Sequence, residues 1–480
     1  MPIWLDRLRA GRRRPGDDGP DAILTGPITP TLLGLSIPMI LAMFLVTSYG
    51  LVDMIYLGRF SKEAMAAVSL AFPVTYLLHT FGGALGSAAT SLCSRLIGGG
   101  RERELPNLVL HVILVAGALA LLLIPGGLAL LEPALRAPGT DPVVRDLARQ
   151  YGSIYFLGGF FSLFAMSMNA LFRGEGDTIF PFKVMAMGLV LNVVLNPLFI
   201  FGPGPLPRLG VAGAALTTVV SFAFASLLVL RELRKGAHHR RVRLARGAWR
   251  WNRSLLGDLL GVAGPATLAN LALPVSVFLI NRMLAPQGTA ALAAFGAGLR
   301  LLNFVFLPTL GLSLSMMIMV GQNHGAGQRE RVREITLTTL RFALTLLAAL
   351  ALPVILFPRW AMGLMTDDAA VIDAGRAFAR WATVARPMLS VVNITAFWFQ
   401  ARGQGLAGMV PNTTLRVVLE PLGVWLGLRW GGLAGAWYGF AIGDAVGGAM
   451  FLALLWWRLA VYTRQAGPGP HRASIIAPPV

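Results

Sequence analysis

The chain carries twelve apolar runs long enough to cross a bilayer, and this pattern narrows the possible architectures more than any other feature. A spanning helix needs ~20 mostly apolar residues, because inside hydrocarbon every backbone N–H and C=O must find its partner within the segment or a closed barrel. Reading on that basis gives helices near 31–57, 66–94, 106–131, 145–172, 179–201 and 210–230, then 256–284, 290–320, 334–357, 370–400, 408–428 and 433–462. Charged residues are 13% of the chain. A soluble domain carries about a quarter, so an ordinary water-exposed surface is out of reach. The expected fold class is an all-α integral membrane protein.

Charge then sets orientation. The net charge of +19 comes almost wholly from arginine, since only Lys62, Lys183 and Lys235 are lysines. The basic residues sit between apolar runs, which points to the positive-inside rule and away from nucleic acid. GGGRERE (98–104), RGEGD (173–177), the 231–253 gap, GAGQRER (325–331), ARGQG (401–405) and the tail with Arg464 carry most of the loop arginines and mark the basic side. The connections on the opposite side, such as FGPGPLPRLG (201–210) and RWGG (429–432), have few. Both termini of this multi-pass membrane protein are therefore expected in the cytoplasm. The basic stretch 1–28 precedes a run too long for a cleaved signal peptide, which is expected to stay as the first helix. A single cysteine, Cys93, forbids an internal disulfide.

The halves repeat. LLGLSIP (32–38) pairs with LLGVAGP (259–265) at an offset that also pairs Ala64, Ala66 and Ala67 with Ala291, Ala293 and Ala294, and Gly98 and Gly100 with Gly325 and Gly327. Further on, Arg173-Gly174 matches Arg402-Gly403, and GVAGAA (210–215) matches GLAGAW (432–437). An even number of helices per unit inserts both copies in the same orientation. The expectation is two pseudo-symmetric six-helix lobes around a central cavity, an arrangement suited to transport. The boundaries are a basic tail 1–30, an N-lobe 31–230, a basic linker 231–253, a C-lobe 254–462 and a tail 463–480.

Ionisable residues inside apolar runs are costly and usually face a bundle interior or an aqueous cavity. Asp53 lies on helix 1, Arg386 on helix 10, Arg416 and Glu420 on helix 11, and Asp444 on helix 12. At 1.5 Å per residue, Asp53 lies ~8 Å inside the outer end of its helix, Asn196 and Asn192 ~8 and ~14 Å inside theirs, and Thr218 ~12 Å. These four share the outer half of the N-lobe. The group reads either as a structural carboxylate held by hydrogen bonds or as a coupling site, where a shielded carboxylate carries a proton and the same oxygens could ligate a hard cation. Arg416 and Glu420, four apart, are most simply an ion pair locking helices together, with a coupling or substrate role as the alternative. Pro38 makes helix 1 either bent or bendable. Met39, Met43, Met185, Met187, Met316, Met317 and Met319 suit an adaptable cavity lining as a set, while each taken singly reads as a packing or lipid-facing residue. No phosphate-binding loop, H-E-x-x-H motif or histidine ligand pattern occurs, so no enzyme activity, cofactor or metal centre is expected.

These features resemble the multidrug and toxic compound extrusion (MATE) family over residues 30–462. The resemblance is carried by Pro38, VDMIYLGRFSKEAMAAVSLAFP, SRLIGGG, NALFRGEGD, NVVLNPLFIFG and LGVAGAALTT, in that order. It implies a secondary antiporter, acting as a monomer, that exports small organic compounds or drugs, often cations, in exchange for H⁺ or Na⁺. It maps the N-lobe coupling site onto Tyr49 and Asp53, with Asn192, Asn196 and Thr218 nearby. Pro38 takes the place of the family's bending proline and Asn169 that of a possible substrate or gating residue. Asn196 stands where many relatives have a second acid, and LANLALPVSV and VARPMLSVVN lack the central carboxylates of another branch, which is closest to the DinF-like pattern. One carboxylate in the cluster favours H⁺ over Na⁺. The alternative is a lipid-linked-precursor flippase of the wider superfamily, which would favour fourteen helices and a more basic cavity.

Overall fold

The computed structural model describes residues 22–136, 141–204, 207–235, 241–245, 247 and 249–464. Both tails beyond these bounds, and part of the linker, lie outside the described residues. The N-terminal half consists of α1 (Ile28–Phe60), α2 (Lys62–Gly98), α3 (Leu105–Leu135), α4 (Pro142–Leu157 continuing as Gly159–Glu175), α5 (Ile179–Phe201) and α6 (Val211–Lys235). The C-terminal half begins with α7 (Arg253–Leu284), α8 (Thr289–Gly325), α9 (Arg329–Leu356) and α10 (Ala369–Ala401). There follows α11, which opens as Gly405–Thr413, passes through a π-helical turn Thr414–Leu419 and enters the helix Glu420–Arg464. Non-helical Gly431 and Gly432 break that helix, and α12 is the part beyond them. Among the described residues nine helices are long and apolar enough to span alone. The bent α4, the division into α11 and α12, and the more polar α10 complete twelve.

Helix starts follow the sequence. Ser61 accepts from the Ala64 amide at 3.0 Å, Asn252 from Ser254 and Leu255 at 3.0 and 3.2 Å, and Asp368 from Ala370 at 2.9 Å. Each satisfies an amide that the helix itself leaves open. Helix 4, read in the sequence as one run over 145–172, is bent. Its two segments meet at 50°. Gly158 packs so closely on α6 that a Cβ there would overlap the Val219 side chain, and a glycine pair is a recognised kink site. The linker is likewise no free tether. Val242 is fully buried in the N-lobe core, Leu244 N donates to Leu233 O at 2.8 Å, and Arg241 pairs with Glu102 at 3.1 Å. Met39, Met316, Met317 and Met319 are buried packing residues at the α1–α8 contact, not cavity lining.

The lobes meet at the end that carries the basic connections. A Cβ on Gly98 would overlap the Gln322 carbonyl, and one on Gly325 the Arg95 carbonyl, so α2 and α8 touch backbone to backbone there. Ser91 donates to Gln400 O at 2.5 Å, Gln322 Nε2 to Gly174 O at 3.1 Å, and Asn323 Nδ2 to Ile23 O at 3.2 Å. Midway along the helices Asn270 Nδ2 donates to Thr80 O at 3.3 Å. No residue from Leu77 to Gly98 or from Val305 to Gly325 is exposed, whereas the other halves of α2 and α8 expose Phe72, Tyr76, Arg300 and Phe304. Tight packing at one end and exposure at the other describe a cleft between lobes.

Candidate coupling site

Four side chains on three helices close into one hydrogen-bonded group in the N-lobe. Asp53 is 4% exposed on α1, and Asn192 and Asn196 on α5 are fully buried. Asn196 Nδ2 donates to Asp53 Oδ1 at 2.8 Å and also faces Asn192 Oδ1 at 3.2 Å. Thr218 Oγ1, from α6, donates to Asp53 Oδ2 at 3.1 Å, and Asn192 Nδ2 reaches Thr218 Oγ1 at 3.5 Å. The two asparagines are one helical turn apart, so both point to the same side of α5. The close fit of α5 to α6 comes from the GVAGAA segment: a Cβ on Gly213 would overlap the Phe199 carbonyl.

The carboxylate therefore has a donor on each oxygen. One polar atom in the group has no partner: Asn196 Oδ1 is buried without a hydrogen bond. The orientation of this amide is set by the hydrogen-bond network around it. If Asp53 takes up a proton, this oxygen is the acceptor available after the amide turns over.

Tyr49 departs from the expected cluster. Its hydroxyl donates to Met185 O at 3.4 Å instead of to Asp53, and its ring stacks on Phe222 at 6.0 Å between centroids. Gly188 makes that position possible, because a Cβ there would overlap the Tyr49 hydroxyl. Asn169 also stays apart: its Nδ2 returns to Ala165 O at 2.9 Å on its own helix, and its Oδ1 is unpartnered. Pro38 sits inside α1, which runs unbroken as helix around it. In the C-lobe, Arg416 and Glu420 form the expected pair at 2.7 Å. Sequence reasoning missed Ser276, which donates to Glu420 Oε2 at 2.9 Å, and His79, which lies 3.4 Å from the Tyr155 hydroxyl and edge-on to Phe222. Neither residue had a spacing to mark it, because their partners are distant in sequence.

Comparison with known proteins bears on this geometry. A family model described as MatE matches the chain twice, over residues 38–198 and 265–425. The chain belongs to the MatE family. The two matches begin at Pro38 and Pro265, the same register in which the two halves repeat in the sequence. An FAD transporter of Shewanella oneidensis is 30% identical over 83% of this chain and 87% of its own length. A probable multidrug resistance protein NorM of Thermotoga maritima is 24% identical over 91% and 95%. A solved structure of an outward-facing multidrug resistance MATE family transporter superposes with a TM-score of 0.86 at 25% identity, covering 92% of this chain and 98% of that one. The MatE chain is thus a multi-pass membrane protein of a multidrug efflux transporter family, and not an enzyme.

Proposed function

We propose that the chain is a secondary antiporter that exports small organic compounds in exchange for protons, with Asp53 as the proton carrier. The observation that carries this reading is the donor arrangement at Asp53. Asp53 is the one carboxylate in the group, and the Asn196 amide and the Thr218 hydroxyl donate to its two oxygens. A dehydrated cation gains most from several oxygens and a full charge, whereas a proton needs one acceptor that can give it back. Deprotonated, Asp53 is held by both donors. Protonated, it loses the reason for at least one of them, and α1, α5 and α6 are freed to repack.

Transport then couples to the lobes. With the basic connections in the cytoplasm, the packed end of the cleft is cytoplasmic and the cleft opens outward, with both termini on the cytoplasmic side of a bacterial inner membrane. The same rule leaves Asp53 in the outer half, where protons enter as substrate leaves. The S. oneidensis relative, an FAD transporter, supports adding a flavin dinucleotide to the cargo panel beside organic cations. In proteoliposomes of the full-length protein, an imposed pH gradient without sodium should move ethidium or FAD. Movement that follows a sodium gradient and ignores pH would overturn proton coupling and recast Asn192, Asn196 and Thr218 as cation ligands.

A further inference from the structure

The C-lobe holds a second buried polar group that the Asp53 site does not use. Glu420 is 1% exposed and fully satisfied, by Arg416 Nη1 on one oxygen and Ser276 Oγ on the other. Asp444 is not. It is 0% exposed on α12, and neither of its oxygens accepts a hydrogen bond. Its nearest cation, Arg386 Nη1 from α10, stands at 3.7 Å, beyond hydrogen-bond length, with its guanidinium 5.6 Å from the Phe440 ring and its Nε unpartnered. The charged groups facing Asp444 are Arg386 from α10 and Arg416 and Glu420 from α11. The helices are pressed together at this level, since a Cβ on Gly443 would fall 2.7 Å from Leu419 O and 3.2 Å from Glu420 Cα. Ionised carboxylates are acceptors only, so two of them bond to each other only through a proton.

The internal repeat places this group. Laying Leu419-Glu420-Pro421-Leu422 on Leu195-Asn196-Pro197-Leu198 puts Glu420 on Asn196 and, one turn earlier, Arg416 on Asn192. The register of the helix 1 and helix 7 repeats puts Ser276 on Tyr49, and GLAGAW on GVAGAA puts Asp444 on Phe222, which stacks on Tyr49. The C-lobe group is therefore the charged counterpart of the Asp53 site, built from the equivalent helices. Arg416 lies within a π-helical turn, Thr414–Leu419, a rare distortion that occurs frequently at functional sites.

We propose that Asp444 and Glu420 form a second proton-carrying site in the C-lobe. The proton resides on Asp444 and is donated to Glu420, whose oxygens keep Arg416 and Ser276. When it leaves, Arg386 is the cation that closes on Asp444. The inference deepens the proton-coupled reading and rests on it for the use of the proton, not for its presence.

Infrared difference spectra of the full-length protein in lipid nanodiscs, recorded as a function of pH, test it without any substrate. Asp53→Asn should retain a protonated-carboxyl C=O stretch that titrates and shifts in D₂O. Adding Asp444→Asn should remove it. Adding Glu420→Gln instead should also remove it, because the new amide can donate to Asp444 and the proton is no longer needed. The proposal is overturned if Asp53→Asn shows no such band, or if either second substitution leaves it unchanged; where one double variant does not fold, the other decides. In proteoliposomes with the membrane potential clamped at zero, Asp444→Asn should lower the ethidium gradient sustained per pH unit about tenfold, the effect of losing one proton from the cycle. A wild-type band without pH-driven ethidium movement would overturn the coupling reading and the site's role in transport, a failure distinct from loss of the band.

Discussion

Replacing Asp53 by Asn separates structure from coupling at a single atom. The carboxylate accepts from Asn196 at 2.8 Å and from Thr218 at 3.1 Å. An amide keeps one of these acceptors and turns the other into a donor, which can meet the free oxygen of Asn196. The net structural change is about one hydrogen bond, on the order of 1 kcal/mol, so insertion and melting temperature should stay near wild type. The functional change is of another kind, because an amide cannot take up or release a proton. Each proton exchanged contributes about 1.4 kcal/mol per pH unit, a tenfold gradient of cargo. The assay is ethidium accumulation in proteoliposomes with the potential clamped, at several imposed pH differences. Wild type should gain about a decade per pH unit for each proton carried, and Asp53→Asn should lose one of those decades. An Asp53→Asn protein of unchanged stability that keeps the full wild-type gradient per pH unit would refute the assignment of Asp53 as carrier.

Other outcomes follow from the same structure. Glu420→Ala strands Arg416 and Ser276 inside the bundle and should cost about 3–5 kcal/mol, seen as a lower melting temperature, while a joint Arg416→Met change should recover part of it. A Glu420→Ala protein with an unchanged melting temperature would show that the pair does not lock the helices together. Gly188→Ala should displace Tyr49 from its seat on α5 and cost about 1–3 kcal/mol, measured by thermal unfolding. Gly98→Ala cannot fit against the Gln322 carbonyl while the lobes are closed at that end. Spin labels at Arg101→Cys and Glu330→Cys should therefore report a shift toward longer distances, and an unchanged distribution would show that the contact is not a gate.

Much of the candidate site could be read from the chain. Asp53, Asn192, Asn196 and Thr218 share a depth that simple helix rise gives, and the structure brings all four into contact. Tyr49 was placed there by resemblance alone, and its hydroxyl is turned away because glycine at 188 leaves it room against the Met185 carbonyl. Asp444 was visible as a costly residue, but its lack of donors was not, since that depends on where α10 and α11 put Arg386 and Glu420.

The twelve helices and their repeat are legible in the chain alone, because a backbone in hydrocarbon must satisfy its hydrogen bonds locally and an apolar run leaves it no other choice. Caps at Ser61, Asn252 and Asp368 are likewise local matters. Which polar groups meet is settled by packing in three dimensions. Asp53 is 143 residues from Asn196 and 165 from Thr218, and lipid supplies little hydrophobic force to press one helix on another. Contacts of that range are set by where small residues let backbones approach, as at Gly213 on Phe199 and Gly98 on Gln322. The 50° bend of α4, the docked linker and the end at which the lobes close depend on the same long-range packing, which no local pattern encodes.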